Sequence, residues 1–237
     1  MMSRLPTTLA QDAGNAPGPD NGSQRNRILG IAAKLFAEHG YHAISMRDLC
    51  DAVGLGRGAV YYHIKSKEDL LYDIAKEYIQ DLGDIGSEQA RRELDPNLRI
   101  AILGRLLVEK IASHQTQLTV CFREVQSLSE PRYSEVMELH SRYEKIWRDT
   151  LIDGADQGYF RPYDPIVLKG ILGMYFYSYI WMRPQGKLST KHIAERLNNL
   201  ALRMLSRDEP ALPTDSPPAS VGRTYAGTLF GNGTAAE

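Results

Sequence analysis

The stretch ISMRDLCDAVGLGRGAVYYHIKSKEDLLYDI, residues 44–74, decides how this chain folds and what its front end does. Ser45 precedes an apolar-periodic run, Met46–Val53, with Asp48 three residues on, close to a capping-box pattern. Gly54 breaks that run and either allows a tight turn or supplies a positive backbone dihedral, while Leu55 is placed to seal the turn. A third short helix is expected from about Arg57 to His63. Ser66, followed by Lys67-Glu68-Asp69, caps a long helix expected to reach about Leu82. Upstream, residues 25–39 put Ile28, Ala32, Leu35 and Phe36 on one face and end at Gly40. Three short helices with a glycine turn between the second and third make the pattern of a helix-turn-helix. Ile28, Leu35, Phe36, Leu49, Val53, Val60 and Tyr61 are expected to form its core.

The third helix carries the chemistry. From Gly56 to Lys67 there are three positive residues and no acid. Arg57 stands at the start, where a recognition helix meets base edges and where an arginine can pair bidentately with guanine. Gly58 and Ala59 let the backbone approach closely. Tyr62 and His63 suit phosphate, sugar or a thymine methyl, and Lys65 and Lys67 suit phosphates. Ser45 and Arg47 begin the second helix, and backbone N–H groups there and at Ser66 can also hold phosphates. Taken alone, Arg57 is an ordinary solvated charge; its place in a basic cluster after a tight turn favours DNA contact. Tyr61 reads as core.

The rest of the composition sets bounds. A chain of 237 residues with 43% hydrophobic residues can bury a sizeable core in one or two domains. A net charge of −1 excludes a protein coated in positive charge but leaves room for one basic face. Cys50 and Cys121 lie far apart in helix-like segments and form no disulfide framework, which fits a reducing cytosol. The N-terminus has no signal-peptide run, and the longest apolar stretch, Ile171–Met182, is interrupted and too short to span a bilayer. A soluble, cytoplasmic protein without a membrane partner is expected.

Further helices are predicted near 96–112, 114–126, 132–157, 164–182 and 189–205. Asp95-Pro96, Gly158, Arg161-Pro162 and Ser189 mark their borders. The expected fold is therefore all-α, about nine helices, with no internal repeat. Its organisation reads as a disordered tail over 1–23, a helix-turn-helix domain over 24–70, a larger ligand-binding and dimerisation domain over 71–206, and a flexible tail over 207–237.

Residues 44–74 resemble the DNA-binding signature of the TetR family of repressors. Val60-Tyr61-Tyr62-His63 follows the family's third-helix ending, and Ser66-Lys67-Glu68-Asp69-Leu70 its fourth-helix start. The resemblance implies a three-helix reader before a divergent ligand-binding and dimerisation domain, and a regulator rather than an enzyme. It implies a homodimeric repressor on a palindromic, double-stranded DNA operator, released by a small-molecule effector. It also implies DNA contacts at Ser45, Arg47, Arg57, Gly58, Tyr62, His63 and Lys67. Gly58 departs from the small polar or Pro residue common there, so that position offers backbone proximity only. A dimer also suits operator geometry, since paired half-sites lie about 34–36 Å apart.

The turns Gly158–Pro162 and Trp181–Ser189 are similar to a TetR subgroup that senses acyl-CoA thioesters in fatty-acid and sterol breakdown. That likeness implies an acyl-CoA effector that shifts the helix Leu70–Leu82, with Arg99, Arg105, Lys110 or Arg123 as candidates for its phosphates. A drug-like or aromatic effector is the alternative.

The body offers Phe122, Met137, His140, Tyr143, Trp147, Tyr175 and Tyr179 as an aromatic, methionine-containing pocket lining. At helical spacing the same residues also suit plain core. Arg123, in an otherwise apolar helix, either neutralises an acidic ligand group or pairs with Glu124 or Glu138. Leu168, Ile171, Ile193, Leu197 and Leu200 form stripes on the last two helices, which the family resemblance makes the dimer bundle. No cofactor or metal is expected: His39 and His42 lack a third ligand, and the chain has no G-x-S-x-G, P-loop, Rossmann or HExxH motif. Cys121 with His140 or His114 is the residual enzyme reading, disfavoured by the apolar face around Cys121.

Overall fold

The computed structural model describes residues 21–92, 95–183 and 186–207, and the regular structure among them is entirely helical. The helices are α1 (Asn21–His39), α2 (Met46–Val53), α3 (Arg57–His63), α4 (Lys67–Arg92), α5 (Pro96–Ser113), α6 (Gln115–Glu124), α7 (Arg132–Asp156), α8 (Pro165–Trp181) and α9 (Thr190–Leu205). A 3₁₀ turn, Val125–Ser127, joins α6 to α7. The terminal tails anticipated at the two ends lie, over 1–20 and 208–237, outside the described residues.

Local chemistry sets the helix ends. The Ser45 hydroxyl accepts from Asp48 N at 3.2 Å while Asp48 Oδ2 accepts from Ser45 N at 2.8 Å, a complete capping box for α2. Gly54 ends α2 at φ 70°, a left-handed conformation that disfavours any residue with a Cβ. Ser66 and Asp69 repeat the reciprocal arrangement at α4. Asp95 and Asp164 cap α5 and α8 ahead of Pro96 and Pro165, and Ser189 caps α9.

Two apolar cores result. The front core packs Ile28, Phe36, Leu49 and Val53 against Leu70, Leu71 and Ile74 of α4, and against Val120 of α6, Val125 of the 3₁₀ turn and Val136 of α7. The rear core gathers Leu103, Leu107, Trp147, Ile171, Tyr175 and Ala201 from α5, α7, α8 and α9. Helix α4 serves both, adding Tyr78, Ile79 and Leu82 to the rear. It runs ten residues past the Leu82 end expected from sequence, because Gly83 and Gly86 sit inside it without breaking it. Where α5 crosses α8 and α9, Gly104 leaves room for Tyr175, whose hydroxyl donates to Asn198 at 2.5 Å; a Cβ at Gly104 would lie 2.2 Å from that oxygen.

Two expectations about packing need correction. Tyr61 is 46% exposed rather than core. In the seven-residue α3, Val60 and the capping Ile64 occupy the inward phase, and residue 61 stands about 100° round the helix from Val60. Leu168, Ile171, Ile193 and Leu197, expected as outward stripes, are buried within the chain's own rear core. The outward side of α8 instead carries Ile166, Gly170, Tyr177, Ile180 and Trp181. Leu200 remains exposed on α9.

Candidate DNA-reading face and effector-binding body

Helices α2 and α3 and the start of α4 turn one polar face outward. Ser45, Arg47, Arg57, Gly58, Tyr62 and Lys65 are exposed there, with His63 and Lys67 half-buried at its edge. Arg57 and Lys65 have no ion pair among the described residues. Arg47 stands 3.9 Å from Asp51 in an exposed i,i+4 pair that contributes little. The Tyr62 and His63 rings meet edge to face at 5.1 Å. Gly56 precedes α3 with no side-chain cap hydrogen bond, which leaves the first N–H groups of that helix without one. The Ser45 hydroxyl, by contrast, is engaged in its capping box and donates to Asp48 Oδ2 at 2.6 Å.

Lys67 differs most from its expected role. Its ammonium donates to the carbonyls of Tyr41 and Ile44, both at 2.8 Å, and lies 4.3 Å from the centre of the Tyr41 ring. It ties the α1–α2 loop to α4, and at most one of its three N–H groups is left for phosphate. Sequence reasoning missed the joint that this lysine belongs to. Glu124 Oε1 accepts from Tyr41 N at 3.2 Å, and His42 Nε2 and Ser127 Oγ are 2.9 Å apart. Glu68 accepts from Ser129 N and Oγ at 2.9 and 2.6 Å, and Arg132 donates to Asp69. Glu68 and Asp69 were visible in sequence as first-turn acids, but their partners are 61 and 63 residues away, a separation no local pattern reveals. Both carboxyls are held below their ordinary range. For Asp69, burial pushes upward but the Arg132 and Ser66 hydrogen bonds outweigh it; for Glu68 the Ser129 bonds dominate.

The proposed pocket residues separate into three groups. Tyr143, Trp147 and Tyr175 lie fully inside the rear core, with Trp147 and Tyr175 ring centres 5.4 Å apart and His140 buried beside them on α7. Phe122 and Tyr179 stack at 4.9 Å, and Phe122 meets Phe176 edge-on at 5.9 Å. Met137 packs on the front core instead. Arg123 is exposed on the outer surface between α1 and α6 and bonds the Ala37 carbonyl at 3.4 Å, so neither Glu124 nor Glu138 is its partner. Burial pushes the Cys121 thiol up to about 12 and its sulfur points at the Ile74 carbonyl, which suits an inert core residue and not a nucleophile.

A short helix with an open, acid-free start, backed by a capped partner helix and braced against a helical body, defines a helix-turn-helix DNA-binding regulator. Residues 28–74 match the bacterial regulatory proteins of the tetR family, and residues 93–205 match the tetracyclin repressor-like C-terminal domain. The chain is 31% identical to the TetR family transcriptional regulator PfmR of Thermus thermophilus, with a TM-score of 0.70 over 76% of this chain and 100% of that one. The protein belongs to the TetR family. The ketosteroid transcriptional regulator KstR2 of Mycobacterium tuberculosis superposes with a TM-score of 0.73 at 28% identity, over 84% of this chain and 100% of that one. As the curated transcriptional repressor KstR2 of M. tuberculosis H37Rv, it is 29% identical over 78% of this chain and 94% of its own length. AibR, in a crystal complex with isovaleryl coenzyme A and operator DNA, shares the fold at 24% identity and a TM-score of 0.66, over 75% of this chain and 97% of that one. Among the described residues, no helix is long and apolar enough to cross a membrane.

Proposed function

We propose that this protein is a cytoplasmic homodimeric repressor that binds a palindromic operator and is released by a hydrophobic effector of the acyl-CoA type. The observation that carries the DNA reading is the exposed row Arg57, Tyr62 and Lys65 on and after α3, with no acid to neutralise it. Arg57 reads a base edge; Arg47, Lys65 and the start of α4 hold backbone; Tyr62 and His63 contact sugar or a thymine methyl. Ser45 and Gly58 add close approach of backbone, and Lys67 acts chiefly through the loop it ties down.

The dimer reading rests on the exposed side of α8. Ile166 is 69% and Tyr177 61% exposed, and with Gly170, Ile180 and Trp181 they form one apolar stripe beside Leu200 of α9. A second copy of the same two helices covers that stripe and sets two α3 helices facing one side of a duplex. The effector class rests on the resemblance of the chain's turns to acyl-CoA sensors and on the likeness to KstR2, whose described role is that of a ketosteroid regulator.

Mobility-shift titration on the chain's own upstream intergenic DNA tests the core of this reading. The wild type is expected to bind specifically, and Arg57→Ala to lose about 1–3 kcal/mol of affinity, concentrated at particular base pairs. Uniform weak binding by both proteins overturns it. A large stabilisation in thermal unfolding by acyl-CoA species supports the effector class, whereas a response only to aromatic acids or hydrophobic cations redirects it.

A further inference from the structure

The four cations available for an anionic effector head group part company in the folded chain. Arg99 bonds Asp153 at 2.7 Å, Arg105 pairs with Glu109 at 3.1 Å, and Lys110 bonds Asp81 at 2.6 Å. Arg123 has no carboxylate and touches only the Ala37 carbonyl at 3.4 Å. It opens into a cleft of about 440 Å³ bounded by α1, α6 and the end of α8. Lys34 from α1 and Arg183 after α8 line the same cleft, and neither has an ion pair among the described residues. Glu38 is the one acid on its wall, and His39 already stands 3.8 Å from it.

The cleft is built from regular spacing. Gln115, Thr119 and Arg123 recur every fourth residue and form the outward stripe of α6. Gln115 Nε2 donates to the carbonyls of Tyr179 and Met182 at 3.1 and 2.6 Å, which fixes the end of α8 as the opposite wall. The Tyr179 ring, at 4.9 Å on Phe122, forms the inner limit of the charged mouth. Behind it, rings continue from Phe122 to Phe176 at 5.9 Å and on to Tyr143 at 6.3 Å, inside the rear core. A charged mouth thus opens onto an aromatic path.

Three cations from three elements around one cleft repel each other, and a ligand with several negative oxygens relieves that repulsion while gaining charge-assisted hydrogen bonds. Since α1 belongs to the reader and α6 and α8 to the body, whatever fills the cleft also fixes their relative position. We infer that this cleft takes the phosphates of an amphiphilic effector, held by Lys34, Arg123 and Arg183, with the apolar part entering by parting Tyr179 from Phe122. The inference rests on the effector-released reading above and adds the place and the residues.

Calorimetric titration of the full chain with inorganic pyrophosphate, coenzyme A, decanoate and decanoyl-coenzyme A tests it, alongside release of operator DNA. Pyrophosphate and coenzyme A are expected to bind the wild type in a salt-dependent way, and decanoyl-coenzyme A to bind tighter than either coenzyme A or decanoate. Lys34→Glu and Arg123→Glu should each weaken all three phosphate probes by roughly tenfold or more, with Arg123→Lys recovering most of the loss and Lys145→Glu, outside the cleft, changing nothing. Unfolding midpoints and operator affinity without probe check that each variant folds; Lys34 is exposed and carries the test if Arg123→Glu does not fold. Absence of pyrophosphate and coenzyme A binding, or equal binding by wild type and both charge reversals, overturns the site. Phosphate binding lost in the variants without operator release by decanoyl-coenzyme A upholds the site and removes the effector class. Equal operator release from wild type and variants upholds the effector class and removes the site.

Discussion

Around the front core, polar side chains at the rim are tied off: Lys67 to two carbonyls, Glu124 to Tyr41 N, Glu68 to Ser129, and Asp69 to Arg132. In the rear core, Tyr78 Oη and Ser178 Oγ are buried with no hydrogen-bond partner among the described residues. An unsatisfied buried group of this kind costs roughly 1–3 kcal/mol, so the contrast is large on the scale of a domain's net stability. The front is held to one geometry, as the placement of a short helix against a duplex requires. The rear retains buried polar groups whose desolvation no protein partner offsets.

Acid separates the two regions most strongly. Burial alone pushes the His140 imidazole down to about 3 from its ordinary 6.5. The folded body therefore keeps His140 neutral while the unfolded chain takes up a proton below pH 6.5, and stability falls as pH drops from 6.5 toward 3. The loss runs on the order of 1 kcal/mol per pH unit in that window. Glu68 and Asp69 in the front have lowered values, so their contribution persists until pH falls below the ordinary carboxylate range near 4. Between pH 6.5 and 4 the rear is expected to loosen first, and Trp147 fluorescence in chemical unfolding reads it. His140→Gln should flatten that pH dependence. A wild-type stability independent of pH across the window shows that His140 is not kept neutral by the fold.

Lys67→Met is the next largest effect and acts on the front. Two carbonyls lose their donor, and a loss of about 2–4 kcal/mol in unfolding free energy is expected. A lysine serving only as a phosphate contact would behave differently, with unchanged stability and a salt slope of operator binding shallower by about one. Measuring both quantities on one variant decides between the two roles.

The positions of these features in sequence explain which were legible. Helix ends were readable at Ser45, Gly54, Asp95, Gly158 and Ser189 because capping and left-handed turns depend on residues a few positions apart. The basic start of α3 was readable for the same reason. Tyr61 misled because a seven-residue helix with adjacent apolar residues does not fix its own rotational phase. The exposed side of α8 was not legible because the helix is apolar nearly all round: Leu168 and Ile171 look no different in sequence from Ile166 and Tyr177 until α5 and α9 cover one side. Arg123 reads as an intruder in an apolar helix, but α1, far away in sequence, decides that its side chain opens outward. The joint from Glu124 to Arg132 was illegible because each of its bonds crosses at least 60 residues.

The finest test of the contrast is the exchange Tyr78→Phe. It removes one hydroxyl, leaves the ring that packs at the junction of α4 with the rear core, and creates almost no cavity. Burial has already driven that phenol well above its ordinary range, so the hydroxyl stays protonated and its ionisation plays no part. With no partner to lose, the substitution should be neutral or stabilise the protein by up to about 1 kcal/mol, the reverse of the usual result for a buried tyrosine. The equivalent exchange in the front, Tyr72→Phe, removes a hydroxyl that donates to Glu135 and accepts from Lys76 at 2.8 Å, and should cost a little stability. Equilibrium unfolding in denaturant resolves the two. If Tyr78→Phe is destabilising by more than Tyr72→Phe, its hydroxyl is satisfied in solution by a trapped water.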